Sequence, residues 1–209
     1  PAVRLTSVAK RYQGTTVLEP VSLEIEPGDS VAIIGPSGAG KTTLLRIIAG
    51  SLDATNGSAE LYGHRPDVIG QGRELSKLVG IVAQQFDLVP NLSTLHNVLA
   101  GRLGSWGFWR SVISLIVPQD RNIGLVALDR VGIRHCSGLR AGRLSGGEQQ
   151  RAAIARLLIQ DPRIVLADEP VSSLDPARAE EIMDLLLSTT HDTGKTVIAT
   201  VHTVDLAVR

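Results

Sequence analysis

One octapeptide constrains this chain more than any other stretch. Gly35-Pro36-Ser37-Gly38-Ala39-Gly40-Lys41-Thr42 fits the spacing G-x-x-x-x-G-K-[ST] and follows the strand-like run Ser30-Val31-Ala32-Ile33-Ile34, which is the setting a phosphate-binding loop requires. The glycines let backbone N–H groups turn inward toward a polyphosphate. The helix begun by Lys41, Thr42, Thr43, Leu44 and Leu45 points its positive N-terminal end at the same anion. Lys41 then reaches the β- and γ-phosphates, and the Thr42 hydroxyl ligates Mg²⁺. The plain alternative is a glycine-rich turn between a strand and a helix.

With 209 residues, 43% of them hydrophobic, the chain can bury one substantial α/β core with an embedded subdomain. Aromatics make up 3%, so aliphatic side chains must build that core. The 21 basic residues balance 21 acidic ones, and no long basic run occurs, which argues against nucleic acid as the main ligand. Cys136, the single cysteine, has no partner for an internal disulfide; it fits a reducing compartment and reads as an inert small side chain. No apolar run approaches the roughly 20 residues that span a bilayer, and Pro1 to Leu5 show no signal-peptide core. A soluble, cytoplasmic protein is expected, with any membrane role exercised through a partner.

Residues 3–8 and 21–25 alternate apolar and polar and are expected to form half-exposed antiparallel strands, with Lys10 to Gly14 as a turn between them. Pro27-Gly28-Asp29 is a tight turn leading into a buried strand before the phosphate loop. Gly50 should stop the following helix, Asn56-Gly57 signals a hairpin, and Ala59 to Gly63 read as a strand. Leu78 to Ala83 form a second buried strand ending at Gln84-Gln85. From Phe86 to about Ile159 the periodicity is mostly helical. Trp106, Phe108 and Trp109 lie there as either the core of a helical subdomain or an exposed docking surface. Arg163 to Asp168 form a buried strand that ends in Asp168 and Glu169. Asp175-Pro176 opens a helix, Gly194 closes it, and Thr196 to Val201 form a last buried strand before His202. Such alternation implies a mainly parallel sheet with the site at its carboxyl edge.

Asp168 follows four apolar residues and should emerge beside the phosphate loop, placed to hold Mg²⁺ through water. Glu169 can then contact the water that attacks a γ-phosphate, as base or as positioning group. His202 could bond the same phosphate, although a histidine at a strand end taken alone is more often structural. Leu144-Ser145-Gly146-Gly147-Glu148 admits two compatible readings. Ser145 with Glu148 is a capping box for the helix that buries Ala152, Ala153, Leu157 and Leu158. Gly146-Gly147 weaken a helix and suit close approach of a ligand to the backbone, so this is also a second anion-binding helix start, for a second ligand or for a nucleotide held by another copy.

These residues resemble the nucleotide-binding domain of an ABC transporter over essentially the whole chain. Gly35 to Thr42 match the Walker A loop, Gln84 the Q-loop, Leu144 to Glu148 the ABC signature, and Ile164 to Glu169 Walker B with its catalytic glutamate. Ser173-Leu174-Asp175 match the D-loop, His202 the switch histidine, and Tyr12 the aromatic that stacks on adenine. The resemblance implies a P-loop NTPase core with a mainly parallel sheet, an antiparallel β subdomain and an inserted α-helical subdomain. Residues 1–85 and 160–209 would form the core and β subdomain, and 86–159 the helical subdomain that contacts membrane permease subunits. It also implies ATP and Mg²⁺ as cofactors, with Thr42, Gln84 and Asp168 around the metal and Glu169, His202, Gln84 and Lys41 in catalysis. Gly35, Pro36, Ser37, Gly38, Ala39, Gly40, Lys41, Thr42 and Thr43 would cradle the phosphates. Ser145, Gly146, Gly147, Glu148 and Asp175 would complete the site of a second copy in a head-to-tail dimer, where separating the half-sites switches hydrolysis off.

A finer resemblance, carried by Phe86 to Ser93, Asn97 to Gly104, Trp109-Arg110 and Ala127 to Ile133, is to the ATPase subunits of phosphonate importers. It implies import of phosphonate, phosphite or phosphate with a solute-binding protein, at the cytoplasmic face of a bacterial inner membrane. Two departures stand out. Ala83 occupies a position where phenylalanine is common, and the chain ends seven residues after His202, where the family usually continues with further helix. Competing readings are the ATPase of a lipoprotein- or drug-export system, a non-transport ABC ATPase of repair or translation, and a catalytically dead regulator. Intact Lys41, Asp168, Glu169 and His202 speak against the last.

Overall fold

Two sheets and a set of helices organise the chain, for which a computed structural model describes residues 1–70, 72–83, 86–104, 120–171, 176–191 and 194–201. The first sheet is antiparallel with order β2-β1-β4, formed by β1 (Val3–Tyr12), β2 (Thr15–Ile25) and β4 (Asn56–Leu61). Val3, Leu5 and Val8 of β1 are buried with Leu18, Ile25 and Leu61, so the alternation at the start of the chain does mark a one-sided sheet. The strands run further than their patterning suggests. The expected turn at 10–14 shrinks to Gln13-Gly14, whose φ values of 47° and 86° are those of a tight primed hairpin, and Tyr12 closes β1 instead of lying in the turn.

Asn56-Gly57 also departs from expectation. The pair forms no hairpin; it opens β4, which pairs with β1 across a register shift between Thr6 and Ala9. A side chain at Gly57 would lie 2.3 Å from the carbonyl oxygens of Thr6 and Ser7, so close backbone approach, not a chain reversal, selects glycine here.

The second sheet is parallel with order β3-β7-β6-β5, formed by β3 (Ser30–Ile34), β7 (Thr196–Val201), β6 (Ile164–Asp168) and β5 (Val79–Val82). Every residue of β6 and β7 is buried, which is why both read as mostly apolar runs. The strand before the loop at 35–42 is, by contrast, half-exposed and lies at the edge of the sheet among the described residues, with Ser30, Ala32 and Ile34 open to solvent. Its apolar composition matches a central strand, and only the sheet order reveals its edge position.

Helix α1 (Lys41–Ile48) follows β3 and stops where expected. Gly50 N–H bonds Ile47 O and Ser51 N–H bonds Arg46 O, the paired bonds of a Schellman ending. Short helices α2 (Pro66–Ile69) and α3 (Arg73–Leu78) precede β5; Leu78 ends α3 and so falls outside the strand predicted to include it. Helices α4 (Thr94–Leu99), α5 (Arg121–Arg130) and α6 (Gly146–Gln160) share a core of Leu95, Val98, Leu128, Val131 and Ile154, which also receives Ile182 and Met183 of α7 (Pro176–His191). Trp106, Phe108 and Trp109 lie outside the described residues.

Candidate functional site

Parallel pairing aligns the strand ends. Ile34 is in register with Val201, and Asp168 with Thr200, so the chain leaves β3 and β6 at one edge of the sheet, the edge at which open α/β sheets carry their ligands. From Ile34 the backbone turns through Pro36 to Ala39, closed by Ala39 N–H to Pro36 O at 3.2 Å with Gly38 at φ 83°. Gly40 caps α1 in the left-handed conformation at φ 85°. A Cβ there would sit 2.5 Å from Val17 O, so the loop is wedged against β2 and no other residue fits. The first α1 bond runs from Leu44 N–H to Gly40 O. That leaves the preceding N–H groups of Lys41, Thr42 and Thr43 without intrahelical partners at the positive end of the helix.

Lys41 is buried at 7% exposure; its Nζ donates to Gly35 O at 2.7 Å and to Pro36 O at 3.1 Å. The same ammonium lies 3.9 Å from Glu169 Oε1. Thr42 Oγ1 donates to Asp168 Oδ1 at 3.1 Å. Thus the loop, the helix start and the paired carboxylates, residues that the sequence spaces more than 120 positions apart, meet at one place.

Thr200 organises the carboxylates, and sequence reasoning missed it. Fully buried in β7, its hydroxyl donates to Asp168 Oδ1 at 2.9 Å and accepts the Glu169 N–H at 2.8 Å. Glu169 has φ 48°, so the chain leaves β6 by a left-handed residue, and this one hydroxyl fixes the bend and the aspartate together. The available signal was a hydroxyl near the carboxyl end of a mostly apolar strand, two residues before His202. Asp168 and Thr42 offer two hard oxygens beside each other, a donor set that fits a small divalent cation such as Mg²⁺. They line a cleft of about 440 Å³ with Arg46, Ala83 and Asp87.

A second residue absent from the sequence reading supports the cleft wall. Arg156 of α6 donates to Phe86 O at 2.9 Å and to Asp87 O at 2.7 Å. Its own burial lowers its pKa from the usual guanidinium value. Phe86 and Asp87 both have positive φ, and the guanidinium fork bridges their two carbonyls. Gln84, Asp175 and His202 lie outside the described residues. Tyr12, at the end of β1, is 48% exposed, with Lys10 Nζ 5.1 Å from its ring centre, which leaves an aromatic face on the surface.

The glycine pair at 146–147 begins α6, and the capping box is complete. Ser145 Oγ accepts the Glu148 N–H at 3.4 Å, and Glu148 Oε2 accepts the Ser145 N–H at 2.8 Å and the Ser145 hydroxyl at 2.7 Å. These bonds hold the Glu148 carboxyl below its ordinary value. Its other oxygen accepts the buried Cys136 thiol at 3.3 Å. Burial first, then that carboxylate, pushes the thiol up to about 11. Ser145 and Glu148 thus bond within their own helix start and its neighbouring turn.

Comparison with known sequences and structures adds an independent line. Residues 18–172 match a family described as "ABC transporter". The chain is 44% identical to phosphonates import ATP-binding protein PhnC 1 of Pseudomonas aeruginosa, a match covering 99% of this chain and 77% of that protein. It is also 44% identical to PhnC of Shigella sonnei, covering 99% and 82%. Among solved structures it resembles the dimeric bacterial ABC transporter cassette MJ0796, with TM-score 0.84 and 33% identity, covering 98% of this chain and 90% of that one. The post-hydrolysis dimer of the same cassette bound to ADP and Pi matches with TM-score 0.83, 32% identity and the same coverage.

Proposed function

The chain belongs to the ABC transporter family, and on that premise we propose that it is the ATP-binding and ATP-hydrolysing subunit of an importer for phosphonate or a related phosphorus oxyanion, phosphite or phosphate. One observation carries the catalytic half of this reading: at the carboxyl edge of the parallel sheet the Thr200 hydroxyl holds Asp168 and the Glu169 N–H, with Thr42 bonded to Asp168 and Lys41 beside Glu169. The kinship with phosphonate import proteins supports the choice of cargo.

In this reading the loop 35–42 and the free N–H groups at the start of α1 bind the β- and γ-phosphates of ATP. Lys41 exchanges its bonds to Gly35 and Pro36 for phosphate oxygens and neutralises charge as the γ-phosphoryl departs. Thr42 and Asp168, with Gln84, hold Mg²⁺, which when bound supplies further neutralisation of phosphate charge. Glu169, fixed by its backbone bond to Thr200, accepts a proton from the attacking water or orients it. His202 contacts the γ-phosphate and Tyr12 stacks on the adenine.

Ser145, Gly146, Gly147, Glu148 and Asp175 act on the nucleotide of a second copy, so turnover requires a head-to-tail dimer. The capping box fixes the Ser145 backbone at the helix start and so presents the Gly146 and Gly147 N–H groups to that nucleotide. Residues 86–159 form the helical subdomain that meets the permease subunits, and residues 1–85 with 160–209 the nucleotide-binding core. The helical core around Leu95, Leu128 and Ile154 joins the two parts, since Ile182 and Met183 of α7 pack into it. Among the described residues no helix is long and apolar enough to cross a membrane, which fits attachment to the cytoplasmic face of the inner membrane through permeases. A solute-binding protein delivers the cargo outside, and nucleic acid has no role.

The test is ATP hydrolysis by this chain assembled with its membrane subunits in lipid, with and without binding protein loaded with a phosphonate. Stimulation by the loaded binding protein is expected. Robust hydrolysis indifferent to phosphonate, phosphite and phosphate would retain the ATPase and remove the cargo assignment.

A further inference from the structure

His135, Cys136 and Glu148 each present one ligand atom, and these atoms all lie within 4.8 Å of one another. We propose that they form a site for one soft divalent cation of the zinc class, seated between the turn at 134–136 and the first turn of α6. None of its members joins the Lys41, Thr42 and Asp168 group, and it meets the proposed nucleotide contacts of a second copy only through Glu148.

The arrangement divides the Glu148 carboxylate between two tasks. Oε2 serves the capping box through Ser145. Oε1 faces the other way, 3.3 Å from Cys136 Sγ and 3.9 Å from His135 Nε2. A tetrahedral zinc ion with Zn–S of about 2.3 Å and Zn–N and Zn–O of about 2.0–2.2 Å places its ligand atoms roughly 3.3–3.7 Å apart. The sulfur-to-oxygen distance already falls in that range. His135 has 70% of its side chain exposed, so its ring can swing the remaining distance without repacking. Ligation through Oε1 leaves Oε2 in the cap, and the open side by His135 gives water the fourth position.

On binding, the Cys136 S–H bond breaks, sulfur bonds the metal, and the proton passes to solvent. A thiolate and an imidazole select Zn²⁺ over Mg²⁺, which prefers oxygen ligands, so millimolar Mg²⁺ leaves the site free. The bound ion ties the 134–136 turn to the start of the signature helix.

Because Cys136 is the only cysteine in the chain, it provides a spectroscopic label. The full chain is titrated with Co²⁺ in excess Mg²⁺, then with Zn²⁺. One equivalent of Co²⁺ should give a thiolate-to-cobalt charge-transfer band that Zn²⁺ abolishes. Cys136→Ser should lack the band, and His135→Ala, at an exposed position that folding tolerates, should bind Zn²⁺ about tenfold or more weakly. Absence of the band in the wild-type chain at saturating Co²⁺ would overturn the proposal. So would Zn²⁺ affinity in His135→Ala within twofold of wild type.

Discussion

Replacing Thr200 with valine conserves shape and removes one oxygen, which isolates the part this residue plays. In the native chain that hydroxyl donates to Asp168 Oδ1 and accepts the Glu169 N–H. A hydrogen bond to a charged acceptor contributes about 1.5–3 kcal/mol, and an amide left unpaired away from water costs about 1–3 kcal/mol. No cavity is created, so the two terms together place Thr200→Val about 2.5–6 kcal/mol below wild type. That is a large fraction of the ~5–15 kcal/mol typical of a domain. Thr200→Ser keeps both bonds and loses one methyl, at a cost of about 1 kcal/mol. Urea unfolding of the three proteins, compared by midpoint at constant slope, separates them. ATP turnover should fall in the valine variant and survive in the serine variant, since Glu169 loses its backbone anchor only in the former. Equal stability of the two variants, or a valine variant within 1 kcal/mol of wild type, would refute the assignment of Thr200 as the organising group.

Gly40→Ala should abolish ATP binding and destabilise by about 1–3 kcal/mol, since its Cβ would lie 2.5 Å from Val17 O at a positive φ; nucleotide titration and a melting curve check both. Ser145→Ala should cost about 1 kcal/mol of stability at neutral pH by removing the cap. The Glu148 carboxyl is held below its ordinary 4.5 by Ser145, so the stabilisation is complete above that pH and fades as pH falls through the lower native value. The gap between wild type and Ser145→Ala should therefore narrow in unfolding experiments carried below pH 4.5. Arg156→Lys supplies one point charge where a fork bridges Phe86 O and Asp87 O. It should lower stability by about 1–3 kcal/mol and speed hydrogen exchange in the segment following residue 85.

The sheet edge and the strand, loop and helix start around residues 35–42 were legible in the sequence because each depends on local chemistry. A Gly-Lys-Thr helix start follows a strand, and the apolar run 164–167 has to end at its first carboxylate. The capping box was legible for the same reason, since Ser145 and Glu148 sit three residues apart. What escaped depends on contacts between distant segments. Thr200 looks like one more residue of a buried strand until the parallel register sets it beside Asp168. Gly57 looks like a hairpin until β4 is laid against β1. The edge position of β3 is a property of strand order, which composition does not encode. Arg156 lies on a helix nearly 70 residues from the carbonyls it holds.

The central claim is that Glu169 acts on water at a nucleotide held by the loop at 35–42 and completed by a second copy. It is tested most directly by Glu169→Gln, assayed for ATP binding, oligomeric state and turnover in one preparation. The account predicts ATP binding close to wild type, an ATP-dependent shift from monomer to dimer, and a turnover reduced by about a hundredfold or more, the range for removal of a positioned acid–base group. Near-normal hydrolysis by the glutamine variant would contradict it.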